Sequence, residues 1–439
     1  MSGKQAISSF LAEPNLARLL TALNGEGEET RVVGGAVRNL LLAESVNDID
    51  LATTAVPQET IRRGRKAGFK AVPTGIEHGT VTLVASGASF EVTTLRRDVE
   101  TDGRRAKVVF GRDFSEDALR RDFTINALGL DRGGEVHDYS TGLADLAARR
   151  VRFIGEAETR IREDYLRILR FFRFHARYGA GAPDAAGLRA CIAGREGLAG
   201  LSRERVRAEL VKLLVAPGAA ATLEAMAGAG LLMPVTGAVP HLARFAAIAG
   251  AGSEQVYPAF RLAALALSAR EDALRLRERL RLSNEEFDRI DRIAQALEGL
   301  GGQVELPSLA RLRVVADRAG SDAAAGALAL LTAGAGEDAG REIQTLIAEL
   351  GDTPAFLPRG QDVLARGVPK GEQIGLVLAA ARQLWIGAGC PADREAQFSL
   401  LDVASREALA QGQRTVGGIE DRMESTLPPV FRPKIVPRS

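Results

Sequence analysis

Asp48 and Asp50 stand two residues apart in Asn47-Asp48-Ile49-Asp50-Leu51. A strand through them puts both carboxylates on one face, with Cα atoms about 7 Å apart. Two carboxylates on one face repel each other unless a cation sits between them. Hard oxygen ligands in that arrangement suit Mg²⁺, which keeps waters and takes phosphate oxygens as its other ligands. In-line nucleotidyl transfer needs such a pair, to activate an attacking hydroxyl and to steady a leaving pyrophosphate. A lone Asp-x-Asp also describes a solvated strand end. About a dozen residues upstream, RVVGGAVRNLLL (31–42) runs from a short apolar strand into Gly34-Gly35 and then a helix carrying Arg38. Paired glycines let a phosphate approach backbone N–H groups, and the helix N-terminus favours negative charge. The same turn serves simple packing elsewhere.

Two further stretches carry candidate chemistry. In Arg120-Arg121-Asp122-Phe123-Thr124-Ile125-Asn126 the arginines suit a triphosphate, and Asp122 or Asn126 suits ribose hydroxyls. In EDYLRILRFFRFHAR (163–177), read as one helix, Tyr165, Leu166, Ile168, Leu169 and Phe172 form a packing side. Asp164, Arg167 and Arg170 step around the opposite side with Phe171 and Phe174 between them, and Arg173 borders it. Asp and Arg one turn apart make a charge-assisted hydrogen-bonding edge for a base. An amphipathic helix laced with ion pairs has the same pattern.

The elements that must position these residues fall into an α/β part and a helical part. Short β-rich runs (Thr30–Val33, Thr80–Val84, Phe90–Leu95) alternate with helical stretches such as Gln58–Ala67, and a hairpin is expected around Ser86–Gly87–Ala88. One short helix precedes them. After about Arg150 strand signals almost vanish in favour of Ala-, Leu- and Arg-rich 3.6-residue periodicity. The divisions are an N-terminal helix (1–29), a head (30–148), a neck (149–215), a helical body (216–425) and a loose Pro-rich basic tail (426–439). At 439 residues, with 46% hydrophobic and 26% charged residues, the chain has ample apolar material for several cores. Net charge is +1, so any nucleic-acid contact must come from local patches. Arginines outnumber acids over 149–177, and Arg203, Arg205, Arg207 and Lys212 follow on a helix starting at Ser202, a phosphate track or a solvated face. Cys191 and Cys390 and four scattered histidines offer no zinc cluster. No signal peptide or stretch of about 18 apolar residues is evident, so a cytoplasmic location and no membrane association are expected.

Taken together, GGAVRNLLLAESVNDIDLAT, RRDFTINA and EDYLR resemble the motifs of the bacterial class II tRNA nucleotidyltransferase (CCA-adding enzyme) and poly(A) polymerase family. Asn39 departs from it, standing where the family usually has Asp. The resemblance implies an α+β fold: a polymerase-β-like nucleotidyltransferase head of mixed sheet and helices, followed by an all-α body. It implies Asp48 and Asp50 as catalytic metal ligands for Mg²⁺, with Glu91 on a neighbouring strand as the third carboxylate. Gly34, Gly35, Arg38, Arg120, Arg121, Asp122 and Asn126 would bind the nucleotide. Asp164 and Arg167 would choose CTP and ATP, with Arg170 and Arg173 adding contacts. The implied reaction is template-independent addition of CCA to the 3′ end of tRNA, with tRNA, CTP and ATP as partners. A polar stretch at 96–114 has the length of a mobile loop, and in this family such a loop favours full CCA addition. The segment 359–378 resembles the family's C-terminal part, whereas beyond His175 only His241 remains, and it is followed by Leu, so the His-Asp of an appended phosphohydrolase is not expected there. Poly(A) addition, partial CC or A addition, and a non-catalytic RNA-binding relative remain alternatives.

Overall fold

The computed structural model describes residues 3–102, 105–250, 257–301, 306–351 and 354–416. The expected tail at 426–439 lies outside the described residues. Two compact units divide the chain, 1–291 and 292–439. The expected N-terminal helix is two, α1 (Gly3–Leu11) and α2 (Pro14–Leu23): Pro14 opens the second, and the Glu13 carboxylate accepts the Leu16 amide.

The head is built on a seven-stranded mixed sheet of β1 (Thr30–Val33), β2 (Ile49–Thr53), β3 (Lys70–Gly75), β4 (Thr80–Ala85), β5 (Ala88–Thr94), β8 (Leu128–Leu130) and β9 (Val136–Asp138). Their order is β3-β4-β5-β2-β1-β8-β9. β1 is buried along its whole length, as its apolar run requires for a central strand. β2 and β5 pair in parallel, with Asp50 beside Glu91. The β4–β5 hairpin turns at Ser86 and Gly87, both at positive φ as a two-residue turn demands. The polar stretch expected to be a loop instead contains an antiparallel ribbon, β6 (Arg96–Asp102) and β7 (Arg105–Phe110), because RAKVVF alternates and pairs with RRDVETD. The tip, 103–104, lies outside the described residues.

Helices α3 (Gly35–Leu41), α4 (Pro57–Lys66), α5 (Phe114–Leu119) and α6 (Gly142–Ala147) belong to the head. The neck follows as α7 (Ala157–Glu163), α8 (Leu166–Tyr178), α9 (Ala185–Ala193) and α10 (Arg203–Leu214). The stretch read as one helix over 163–177 is therefore broken. Asp164 is extended (φ −156°), and its carboxylate accepts the Leu166 amide, which starts α8 afresh. Phe171 and Phe174 do not stand on a polar side either. Both are buried against Phe123, with ring centroids 6.3 and 5.3 Å away, and Phe153 lies 4.8 Å from Phe123. This aromatic cluster fastens α8 to the strand-and-turn region of the head, which places the arginines of α8. Ser202 precedes α10 but makes no side-chain cap. Residues 292–416 are helical where described, with a core around Val363, Val377, Ala381 and Leu401.

The short turn Thr124–Asn126 is held from below by Asp145, wholly buried, which accepts from Thr124 Oγ1 at 2.7 Å and from Arg150 and Arg152. Gly142 permits this packing, since a Cβ there would meet the Thr124 carbonyl oxygen at 2.3 Å. Gly142→Ala is expected to destabilise the protein by about 1–3 kcal/mol, read as a lowered thermal midpoint. A midpoint equal to wild type would contradict this packing.

Candidate active site

A cleft of about 760 Å³ opens where β1, β2, α3, the Thr124–Asn126 turn and α8 meet. Gly34, Gly35, Arg38, Asp48, Asp50, Arg120, Arg121, Asp122, Asn126, Asp164, Arg167, Arg170 and Arg173 all line it. Residues scattered over some 140 positions are thus brought to one concave surface. Glu91 is not part of that lining. It sits directly beside Asp50 across the parallel β2–β5 register.

Gly34 takes φ 73° and ends β1 by donating its N–H to Leu128 O at 3.0 Å. The positive φ favours glycine here, and the bare Cα lets the Arg121 guanidinium lie over the turn, with Nη1 2.7 Å from where a Cβ would stand. α3 then starts at the cleft, where Gly34, Gly35 and Ala36 form part of the lining, and a helix N-terminus is a place suited to phosphate.

Asp48 lies just ahead of β2 rather than in it, and Asp50 is its second residue. Desolvation by the surrounding protein pushes the Asp50 carboxyl above its ordinary range, against the attraction of Arg121 and with the help of the Asp48 charge. Glu91 is likewise pushed up, by desolvation and then by the Asp50 charge. Asp50 and Glu91 are thus adjacent hard oxygen donors that disfavour each other's charged form, with Asp48 just ahead of the same strand as Asp50, and a divalent cation would relieve them.

The arginines are held by acids that the sequence reading did not single out. Asp117 is 4% exposed and accepts from both Arg120 and Arg121. Burial alone would raise its pKa. Arg121 and Arg120 outweigh that and hold the carboxyl below the usual range. Asp122 accepts Asn126 Nδ2 at 3.1 Å through one oxygen and Arg170 Nε at 2.7 Å through the other. Buried Glu209 of α10 accepts from Arg173 and lies 3.8 Å from Arg170. Arg38 is buried and donates to Asn126, Asn39 and Tyr178. Asn39 therefore acts as an acceptor despite lacking the expected charge.

Asp164 and Arg167 share the cleft without pairing. Arg205 Nη2 donates to Asp164 Oδ2 at 2.7 Å, and Arg167 donates to Glu163 and to Arg160 O. The suggested phosphate track on α10 is also engaged: Arg207 pairs with Glu286, and Arg203 donates to Glu278 O. Sequence signals for the missed acids were faint, since one Asp or Glu in an amphipathic helix resembles a solvated one. Asp117 did stand i−3 and i−4 to two arginines, a pairing that helix spacing allows.

Asp117→Asn is expected to raise the KM for nucleotide and to lower the thermal midpoint. Asp117's folded-state pKa is depressed, so the stability it contributes is present above the unfolded carboxylate pKa and is lost as pH falls. The midpoint difference between wild type and variant should therefore be largest near neutrality and shrink toward about pH 4 and below. A difference that grows on acidification would contradict the pairing.

Comparison with known proteins agrees with this geometry. A family model described as "Poly A polymerase head domain" matches residues 30–152, and one described as "Probable RNA and SrmB- binding site of polymerase A" matches 188–245. The mitochondrial CCA tRNA nucleotidyltransferase 1 of Danio rerio is 37% identical over 368 residues, 81% of this chain and 83% of that one. The CCA-adding enzyme of Oceanobacillus iheyensis is 44% identical over 208 residues, 46% of this chain and 51% of that one. The crystal structure of the Bacillus stearothermophilus CCA-adding enzyme in complex with CTP superposes with a TM-score of 0.68 at 27% identity, covering 91% of this chain and 100% of that one. With this cleft and these relatives, the chain belongs to the class II tRNA nucleotidyltransferase (CCA-adding enzyme) and poly(A) polymerase family.

Proposed function

We propose that this cleft adds C, C and A to the 3′ end of tRNA from CTP and ATP without a nucleic-acid template, releasing pyrophosphate at each step. The observation that carries the reading is the convergence in one cleft of a Gly-Gly helix start, an aspartate pair, a fan of arginines, and Asp164 with Arg167 at the start of α8.

Asp48 and Asp50, with Glu91 alongside, would hold Mg²⁺. When bound, the metal supplies Lewis acidity toward the 3′-hydroxyl and the phosphate oxygens. The protein's own residues do the positioning. Gly34 and Gly35 admit the triphosphate to backbone amides at the start of α3, and Arg38, Arg120 and Arg121 neutralise it. Asp122 and Asn126 face the ribose side, while Arg170 and Arg173 complete the nucleotide contacts.

Selection without a template follows from the hydrogen-bonding edges of the bases. Cytosine and adenine each present an amino donor beside a ring-nitrogen acceptor, whereas uracil and guanine present a carbonyl acceptor beside an N–H donor. A carboxylate acceptor at Asp164 next to a guanidinium donor at Arg167 matches the first pair and opposes the second. Both side chains reach this role by exchanging or sharing their contacts with Arg205 and Glu163. The helical residues beyond 215 would hold the tRNA by its backbone and shape. We place the reaction in the cytoplasm, on the strength of the similarity to bacterial CCA-adding enzymes. Among the described residues no helix is long and apolar enough to cross a membrane.

Asp48→Asn and Asp50→Asn are each expected to reduce nucleotide transfer by more than about a hundredfold while leaving the circular dichroism spectrum unchanged. Near-wild-type transfer by either variant would remove the metal assignment. Arg167→Ala is expected to erode the preference for CTP and ATP over UTP and GTP by about ten- to a hundredfold, with tRNA affinity retained. Unchanged selectivity with weakened tRNA binding would make Arg167 an RNA contact instead.

A further inference from the structure

Arg38 is the most enclosed guanidinium of the cleft, at 6% exposure, yet its hydrogen bonds all end on neutral groups. Nη1 donates to Asn126 Oδ1. Nε and Nη2 donate to Asn39 Oδ1 at 3.1 and 2.8 Å. Nη2 also donates to the Tyr178 hydroxyl at 2.7 Å, and that hydroxyl donates onward to Asn39 Oδ1 at 3.3 Å. Asn39 is itself oriented by donating Nδ2 to Ser45 O at 3.2 Å, which keeps its oxygen toward Arg38. Arg38 Cζ lies over the Tyr178 ring, 4.1 Å from its centroid. A closed triangle of Arg38, Asn39 and Tyr178 thus fixes a positive charge with no carboxylate at its corners.

Tyr178 is the last residue of α8, about three turns after the start of the helix that carries Arg167, Arg170 and Arg173. Arg38 is on α3, directly behind the Gly34-Gly35 turn. The hydroxyl therefore joins the helix facing the base to the helix facing the triphosphate. A second link lies beside it, Arg177 to Glu44 at 3.0 Å.

We propose that Tyr178 is a positioning residue for nucleotide binding: its hydroxyl aims Arg38 into the cleft and holds the triphosphate end of the site in register with the base-reading helix. The inference rests on Arg38 being a nucleotide contact. A hydrogen bond to a charged donor that lacks an anionic partner carries more than an ordinary neutral one. Removing it leaves Asn39 as the one acceptor for Arg38 on that side and cuts the hydrogen-bonded link from Arg38 to α8. Because the triphosphate is common to all nucleotides, the effect falls on affinity and not on the choice of base.

The test is Tyr178→Phe, which keeps the ring and its packing, assayed on tRNA transcripts ending before the first C and before the terminal A. The expected result is a rise of about five- to twentyfold in KM for both CTP and ATP, with the ratio of CTP and ATP use to UTP and GTP use unchanged. Adding Asn39→Asp to Tyr178→Phe gives Arg38 a carboxylate in place of the lost hydroxyl and is expected to recover most of the KM. KM values equal to wild type in Tyr178→Phe overturn the inference. A rise that Asn39→Asp does not repair also overturns it, because the hydroxyl then acts elsewhere than through Arg38. A loss of base selectivity overturns it by moving the role to the other end of the site. Arg38→Gln is run alongside: a wild-type KM in that variant would show that the assignment of Arg38 to the nucleotide has failed, separately from any effect of Tyr178.

Discussion

Buried carboxylates holding arginines organise this molecule's working surface. Asp117 grips Arg120 and Arg121, Asp122 grips Arg170, and Glu209 grips Arg173, while Asp145 secures the turn that carries Asn126 by way of Thr124. An unpaired arginine side chain sweeps a wide volume and loses much entropy on binding a ligand. Held by two hydrogen bonds to a buried acid, it presents its remaining donors from a fixed place. The acids gain as well, since breaking a buried pair of this kind costs about 3–5 kcal/mol. Binding a polyanion into such a cleft therefore requires little rearrangement of the donors that meet it.

The opposite problem is solved at the floor of the cleft. Asp48 and Asp50 line it at the start of β2, Glu91 lies outside the lining across the parallel β2–β5 register, and the charge of Asp50 is left facing its acidic neighbours in the protein alone. The positive rim and the negative floor are separated by the Gly34-Gly35 turn, where one glycine takes a left-handed conformation and lets Arg121 lie against the backbone. A nucleoside triphosphate matches this division. In the proposed binding mode its phosphates would meet the rim, the cation that accompanies them would meet the aspartates, and the base would face Asp164 and Arg167.

Much of this was legible in the sequence because the chemistry sits in short, contiguous stretches. Gly34-Gly35 with Asp48 and Asp50, Arg120–Asn126, and Asp164–Arg173 each occupy one short stretch of chain, and a local motif survives without knowledge of the fold. The hairpin at Ser86-Gly87 and the strand at Thr30–Val33 were readable for the same reason. What escaped depends on contacts over long separations. Glu209 is 36 residues from Arg173, and Tyr178 is 140 from Arg38, so neither announces a partner in the chain. The break at Asp164 was masked by continuous apolar periodicity, although an aspartate just before an apolar run is a known start signal. The ribbon at 96–110 was masked by its charge, which hid the alternation in RAKVVF.

The central claim is that protein side chains, and no nucleic-acid template, choose three nucleotides in order and then stop. It is tested most directly by incubating the chain with Mg²⁺, all four nucleotides and tRNA transcripts lacking CCA, CA or A, and resolving the products at single-nucleotide length. The account predicts growth of each transcript to a common CCA end, with CTP and ATP alone sufficing. A long ladder of A, arrest after CC, incorporation of U or G at comparable rates, or the absence of any product would contradict it.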